Sequence, residues 1–162
     1  MSTFSPLPDW PTGCQLRRAG AEDLSAIRSL VFRAALDPTQ LRWQQFWLVE
    51  SQGQVVACGQ LREFVGAQEL GSLVVMRDWR DRGLGEALSR HLIAIASQPL
   101  YLECVGSRLG RFYTRLGFQA VTWRELPPAL QRKFALACFA QRLGLPITVM
   151  RFVGEVKNPD WL

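Results

Sequence analysis

Histidine is almost missing from this chain, and its cysteines never come in pairs. His91 is the single histidine, and Cys14, Cys58, Cys104 and Cys138 show no C-x-x-C spacing. Zinc sites and disulfide frameworks both need closely spaced ligands or partners, so the pattern argues against either. What remains for the cysteines is four small apolar side chains in a reducing compartment. No stretch approaches the roughly 18 apolar residues of a membrane span. The start holds Pro6, Pro8 and Pro11 and no basic segment followed by an apolar run. It therefore reads as an irregular leader over 1–12, not as a secretory signal. No run of five like charges occurs, which argues against a nucleic-acid arm despite a net charge of +5. The expectation is a soluble, cytoplasmic protein with no metal and no membrane or nucleic-acid partner.

What is present suits one folded domain over 1–162. Nearly half the 162 residues are apolar and a fifth are charged, so a sizeable core can form. The basic excess fits a polyanionic ligand without saying which. Cys14 to Arg18 reads as a short strand. Leu24, Ile27, Leu30, Val31 and Ala34 make one helical face over 21–35, with Glu22 and Asp23 in the first turn, where the dipole favours acids. Asp37-Pro38 breaks it. Residues 41–45 stay ambiguous between a short helix and an acceptor-side loop. Strands over 46–50 and 55–61 flank Ser51-Gln52-Gly53-Gln54 as a hairpin. A further strand ends at Met76.

The stretch after Met76 is the most informative. Arg80 and Arg82 lead into Gly83-Leu84-Gly85. Apolar or small residues then recur at Leu84, Ala87, Leu88, Leu92 and Ile95, as on a half-buried helix. A helix start leaves its first N–H groups unpaired and adds positive potential. Glycines let a ligand come close to those amides, and the ligand such a turn suits is a phosphate or diphosphate. A Walker loop is absent. A Rossmann fingerprint fails because Leu88 stands at its third small position, although Glu103 lies at about the distance of a ribose-binding acid (~20 residues). The third reading is Arg-x-x-Gly-x-Gly after a strand, Arg80-Asp81-Arg82-Gly83-Leu84-Gly85.

Downstream, Gln98-Pro99 stops the helix. A strand over 100–105 follows, expected parallel to the one ending at Met76. A short helix from Arg108 ends at Gly117. Strand 118–123, a helix over 128–143 ending at Gly144, strand 147–152 and a loose tail from Gly154 complete the chain. Within this part, Phe112-Tyr113-Thr114-Arg115-Leu116-Gly117-Phe118 resembles the Phe-Tyr-x-x-x-Gly-Phe signature of the GNAT superfamily of N-acetyltransferases. The glycine loop resembles that superfamily's acetyl-CoA loop, and the two motifs stand in its order. The likeness spans about 16–123. It implies an α+β fold, a mixed and mostly antiparallel sheet flanked by helices, with one central β-α-β unit binding the cofactor.

The resemblance also implies an activity and a site. The activity is transfer of an acetyl group from acetyl-CoA to a primary amine by direct attack in a ternary complex. Leu73, Val74 and Val75 would hold the pantetheine arm and the acetyl carbonyl. Arg80, Asp81, Arg82, Gly83, Leu84, Gly85 and Glu86 would hold the diphosphate. Tyr113 would protonate the departing thiolate, and Glu69 or Glu103 would serve as base. Glu69 is expected on the strand face of Gly71, Leu73 and Val75 by period-two parity. Gly106 and Leu109 depart from the family, which often has asparagine and alanine there. The acceptor, a protein or small-molecule amine near 43–47, the hairpin and the segment after Trp123, stays open, as does a homodimer. The alternative function is an acyl-CoA-sensing module without turnover, suggested by the apolar helix 128–143.

Overall fold

The computed structural model describes residues 10–154. The leader before Trp10 and the tail beyond Gly154 lie outside the described residues. In chain order the elements are β1 Cys14–Arg18, α1 Leu24–Arg33, β2 Phe46–Ser51, β3 Gln54–Phe64, β4 Ala67–Val75 and α2 Leu84–Ile95. Then come β5 Leu100–Val105, α3 Ser107–Arg115, β6 Phe118–Ala120, α4 Pro128–Lys133, α5 Ala135–Arg142 and β7 Ile147–Phe152. The strands are hydrogen-bonded in the order β1-β2-β3-β4-β5-β7-β6. β4 and β5 pair parallel, as a strand-helix-strand crossover requires, while β1–β2, β2–β3, β5–β7 and β6–β7 pair antiparallel. The mixed, mostly antiparallel sheet flanked by helices is the one the sequence led us to expect.

The chain divides into two compact units: Ser72–Ile93 with the residues up to Leu61, and Arg62–Gly71 with the residues from Ala94 onward. In the first, Ile27, Leu30 and Val31 of α1 are buried against Phe46, Leu48, Cys58 and Val74. Burying each such side chain stabilises by about 1.5–3 kcal/mol. The helix expected over 21–35 starts as a 3-10 turn, Ala21–Asp23, and becomes α-helical only at Leu24. Asp23 closes that turn by accepting from the Gly20 amide at 2.8 Å, and Arg17 grips the same carboxylate at 2.7 and 2.9 Å. On the opposite face of the strands, Leu88 and Leu92 of α2 crowd Gly59.

In the second unit, α4 and α5 cover one face of the strands. Leu130, Phe134, Ala137 and Cys138 are buried there with Ala67, Tyr101 and Val149. α3 covers the other face, where Tyr113 meets Phe118 edge-on (centroids 5.7 Å apart) and Phe118 meets Phe152. The helix expected over 128–143 is two helices. It bends at Phe134 (φ −96°, ψ 10°), whose side chain is fully buried. The bonds Phe134 N–H to Leu130 O and Cys138 N–H to Phe134 O persist through the bend, at 2.8 and 2.9 Å.

A second hairpin escaped the sequence reading. β3 runs on to Phe64, turns through Val65 and Gly66, and returns as β4 from Ala67. The parity expected along β4 fails as well, because the strand carries a β-bulge. Arg62 of β3 is ion-paired with Glu69 of β4. Six residues back from Arg62 is Val56, and six beyond Glu69 is Val75, yet it is the Met76 amide that donates to the Val56 carbonyl, at 2.8 Å. β4 therefore holds one extra residue. Ser72 sits in the gap with φ +48°, a conformation that L side chains rarely adopt. Before the bulge, Gly71 faces the Arg62 side chain; after it, Leu73 faces Gly59 and the α2 side. Glu69 and Leu73 thus point to opposite faces, correcting the shared face inferred from simple alternation.

Candidate functional site

The glycine loop is built from the end of β4 into α2. A 3-10 turn, Arg77–Trp79, follows the strand, and the chain then swings through Asp81 (φ +60°) and Gly83 (φ +81°). The left-handed conformation at Gly83 is the one that glycine adopts at no steric cost. Nothing lies within 4 Å of where a Cβ on Gly83 would stand, and the nearest atom to one on Gly85 is Val75 Cγ2 at 3.7 Å. The first helical bond of α2 is Ala87 N–H to Gly83 O at 2.9 Å. The amides of Leu84, Gly85 and Glu86 precede it, so they lack intrahelical acceptors.

The loop's charged side chains are anchored. Arg80 Nε donates to the Val75 carbonyl at 3.2 Å, and the Arg82 guanidinium stacks on Trp79 at 4.7 Å. Glu86, an acid that would oppose an incoming anion, is paired with Arg90 at 2.8 Å. Open amides, a glycine cradle and fixed positive charge make a donor set that fits a diphosphate. β4 and β5 are paired at Gln68↔Leu100 and Glu69↔Tyr101, while β4 continues to Val75 and β5 to Val105.

Tyr113 lies on α3 and is 6% exposed. Burial pushes its phenol above the usual value, and the Cys104 thiol adds to the shift. At neutral pH it is therefore a protonated donor. Phe112 contacts it edge-on at 5.0 Å between centroids, fixing the ring. Tyr113 belongs to the face of β5 that carries Cys104. Glu103 is the neighbouring strand residue, so it points to the other face, with Tyr101, where α4 and α5 pack. It is exposed. Glu69 pairs in register with Tyr101 and is buried, its Oε1 accepting from Arg62 Nη1 at 3.0 Å. Both glutamates thus share one face, and Tyr113 sits on the opposite one.

Sequence reading missed Gln60, Arg62 and Ser72. Gln60 and Arg62 are polar residues at alternate positions of an otherwise apolar strand, and both are buried. That interruption was the available signal. Gly71 belongs with them, because a Cβ there would stand 2.7 Å from Arg62 Nη1. His91 contacts Trp47 edge-on at 4.3 Å, and burial together with Arg18 lowers its pKa.

A family model described as an acetyltransferase (GNAT) domain matches residues 42–120. An amino-acid acetyltransferase of Shewanella oneidensis is 31% identical over 112 residues, which is 62% of this chain and 24% of that protein. The chain thus spans about a quarter of that relative's length. N-acetylglutamate synthase from Neisseria gonorrhoeae, solved with coenzyme A and L-arginine, superposes with a TM-score of 0.67 at 22% identity, over 89% of this chain and 34% of that one. A Mycobacterium tuberculosis protein solved in complex with CoA superposes with a TM-score of 0.69 at 23% identity, over 87% and 99% of the two chains. These superpositions establish likeness of fold.

Proposed function

Because residues 42–120 match a family model described as an acetyltransferase (GNAT) domain, we propose that this chain is an acetyl-CoA-dependent N-acetyltransferase acting on a primary amine. The reading takes 1–162 as a single acetyltransferase domain. The observation that carries it is the loop from Arg80 to Glu86, whose open amides and anchored arginines suit the diphosphate of CoA. When bound, acetyl-CoA supplies an activated acetyl group. The backbone of Leu73, Val74 and Val75, beyond the bulge, would orient the thioester and polarise its carbonyl.

Proton traffic is divided between the faces of the second unit. Tyr113 is the acid: burial leaves its phenol protonated in the free protein, and it would hand that proton to the departing thiolate as the bond from sulfur to the acetyl group breaks. Glu103 is the base, directly or through water, because it is exposed and can return a proton to solvent. Glu69 is the second candidate, but its carboxylate is committed to Arg62. The acceptor class we favour is a free amino acid, supported by the naming of the Shewanella oneidensis and Neisseria gonorrhoeae relatives.

Release of CoA from acetyl-CoA over a panel of amino acids, polyamines and peptides tests this reading. Turnover is expected with an amino acid. Tight CoA binding with no transfer to any amine would instead favour an acyl-CoA-sensing module.

A further inference from the structure

We infer that Gln60 is a positioning residue that locks the acceptor-side loop to the bulged strand carrying the thioester-binding amides. Its side chain is wholly buried in the first unit. Its Nε2 donates to the Gln40 carbonyl at 2.8 Å and to Gln45 Oε1 at 3.0 Å. Its Oε1 accepts from the Ser72 hydroxyl at 3.4 Å. One amide group thus bridges two separate segments. Both are held in backbone conformations that are costly for L residues, with Gln40 at φ +59° and Ser72 at φ +48°. Such conformations persist only where the surroundings over-determine them. Here part of that determination is a single buried amide whose donor and acceptor ends are both used.

The geometry gives this amide a consequence for chemistry. Ser72 is the extra residue that turns β4, so it decides which way Leu73, Val74 and Val75 present their backbone groups. Gln40 to Gln45 include Trp43 and lead into Phe46, where the acceptor was expected. A carboxamide suits this place better than a carboxylate or an alkyl chain. The carboxylate has no N–H for Gln40 and Gln45, and the alkyl chain would leave three polar groups without this partner. The inference rests on the acetyltransferase reading for its catalytic meaning, but not for its structural test.

The experiment compares wild type with Gln60→Leu, Gln60→Glu and Ser72→Ala, using amide hydrogen exchange and steady-state kinetics. Gln60→Leu is expected to speed exchange over 40–45 and 72–75 by about tenfold or more, since one net hydrogen bond is worth roughly that factor. It should raise the acceptor KM and lower kcat, while amide exchange in the Arg80–Glu86 loop stays within about twofold of wild type, because Gln60 makes no contact there. Gln60→Glu should behave like Leu at pH 8 and recover as the pH falls, because the neutral acid regains one donor. A general packing role would not produce that pH-dependent rescue. If Gln60→Leu does not fold, Gln60→Glu across pH and Ser72→Ala carry the test. Unchanged exchange at both segments, or no recovery of Gln60→Glu at low pH, overturns the inference. Absence of wild-type turnover overturns the acetyltransferase reading alone, since the exchange comparison still decides whether Gln60 holds the two segments.

Discussion

Tyr113 is a phenol whose burial keeps it protonated and whose ring is braced by Phe112 and Phe118. Removing only the hydroxyl should cost catalysis and little else. Tyr113→Phe is expected to lower kcat by about 10²-fold with CoA affinity unchanged, read by initial rates and calorimetry. The two glutamates separate by variant. Glu103→Gln should lower kcat with the fold intact. Glu69→Gln should destabilise by about 3 kcal/mol in urea unfolding, because it removes the opposite charge from the buried pair with Arg62. His91 sets a pH window. Its folded pKa lies below the ordinary value near 6.5, so the unfolded chain binds the proton more readily. Its contribution to stability is therefore present above about pH 6.5 and lost as the pH falls through the folded pKa. A His91→Phe variant should show a flatter stability profile between pH 7 and 5.

At the scale of elements, the loop and the helix after it act as one unit. A Gly85→Asp variant has room for its side chain, since the nearest atom to its Cβ position is Val75 Cγ2 at 3.7 Å, whereas Gly83, at φ +81°, is left as glycine. The new carboxylate would oppose the charge of an anion at the helix start. CoA affinity should fall by at least about tenfold with the thermal midpoint little changed; unchanged affinity would remove the diphosphate from this loop. This element was legible in the sequence because its signals are local: glycine, arginine and helical periodicity within a few residues. β4 was not. Alternation put Glu69 and Leu73 on one face, and nothing in the letters Glu-Leu-Gly-Ser-Leu marks a bulge at Ser72. That bulge follows from how β3 and β4 register, with Gly71 giving room to Arg62 and Leu73 turned towards Gly59. The break at Phe134 was hidden too, because the apolar spacing of 128–143 is continuous and carries no glycine or proline there.

For the molecule as a whole, no group of three or more histidine, cysteine or acidic side chains able to hold a metal occurs among the described residues. Excess chelator should leave the rate of acetyl transfer unchanged, and a loss restored by added divalent metal would count against the proposed chemistry. No helix among the described residues is long and apolar enough to cross a membrane. α5 and the turn after it present Leu136, Phe139, Leu143 and Leu145 to solvent. Leu136→Ser with Phe139→Ser should therefore alter unfolding free energy by less than about 1 kcal/mol, since exposed side chains contribute little to the core.

Short-range order was determined by the chain itself. The glycine turn before α2, the aromatic pair at Phe112-Tyr113, the parallel crossover into β5 and the class of sheet all follow from spacings within one or two elements. Tertiary structure decided what depends on neighbours far along the chain. It set the face to which each glutamate points, tied Glu69 to Arg62, and placed Gln60 between Gln40 and Ser72. The physical reason is that a strand's side-chain direction is fixed by its pairing register, and one inserted residue reverses it without any change in composition.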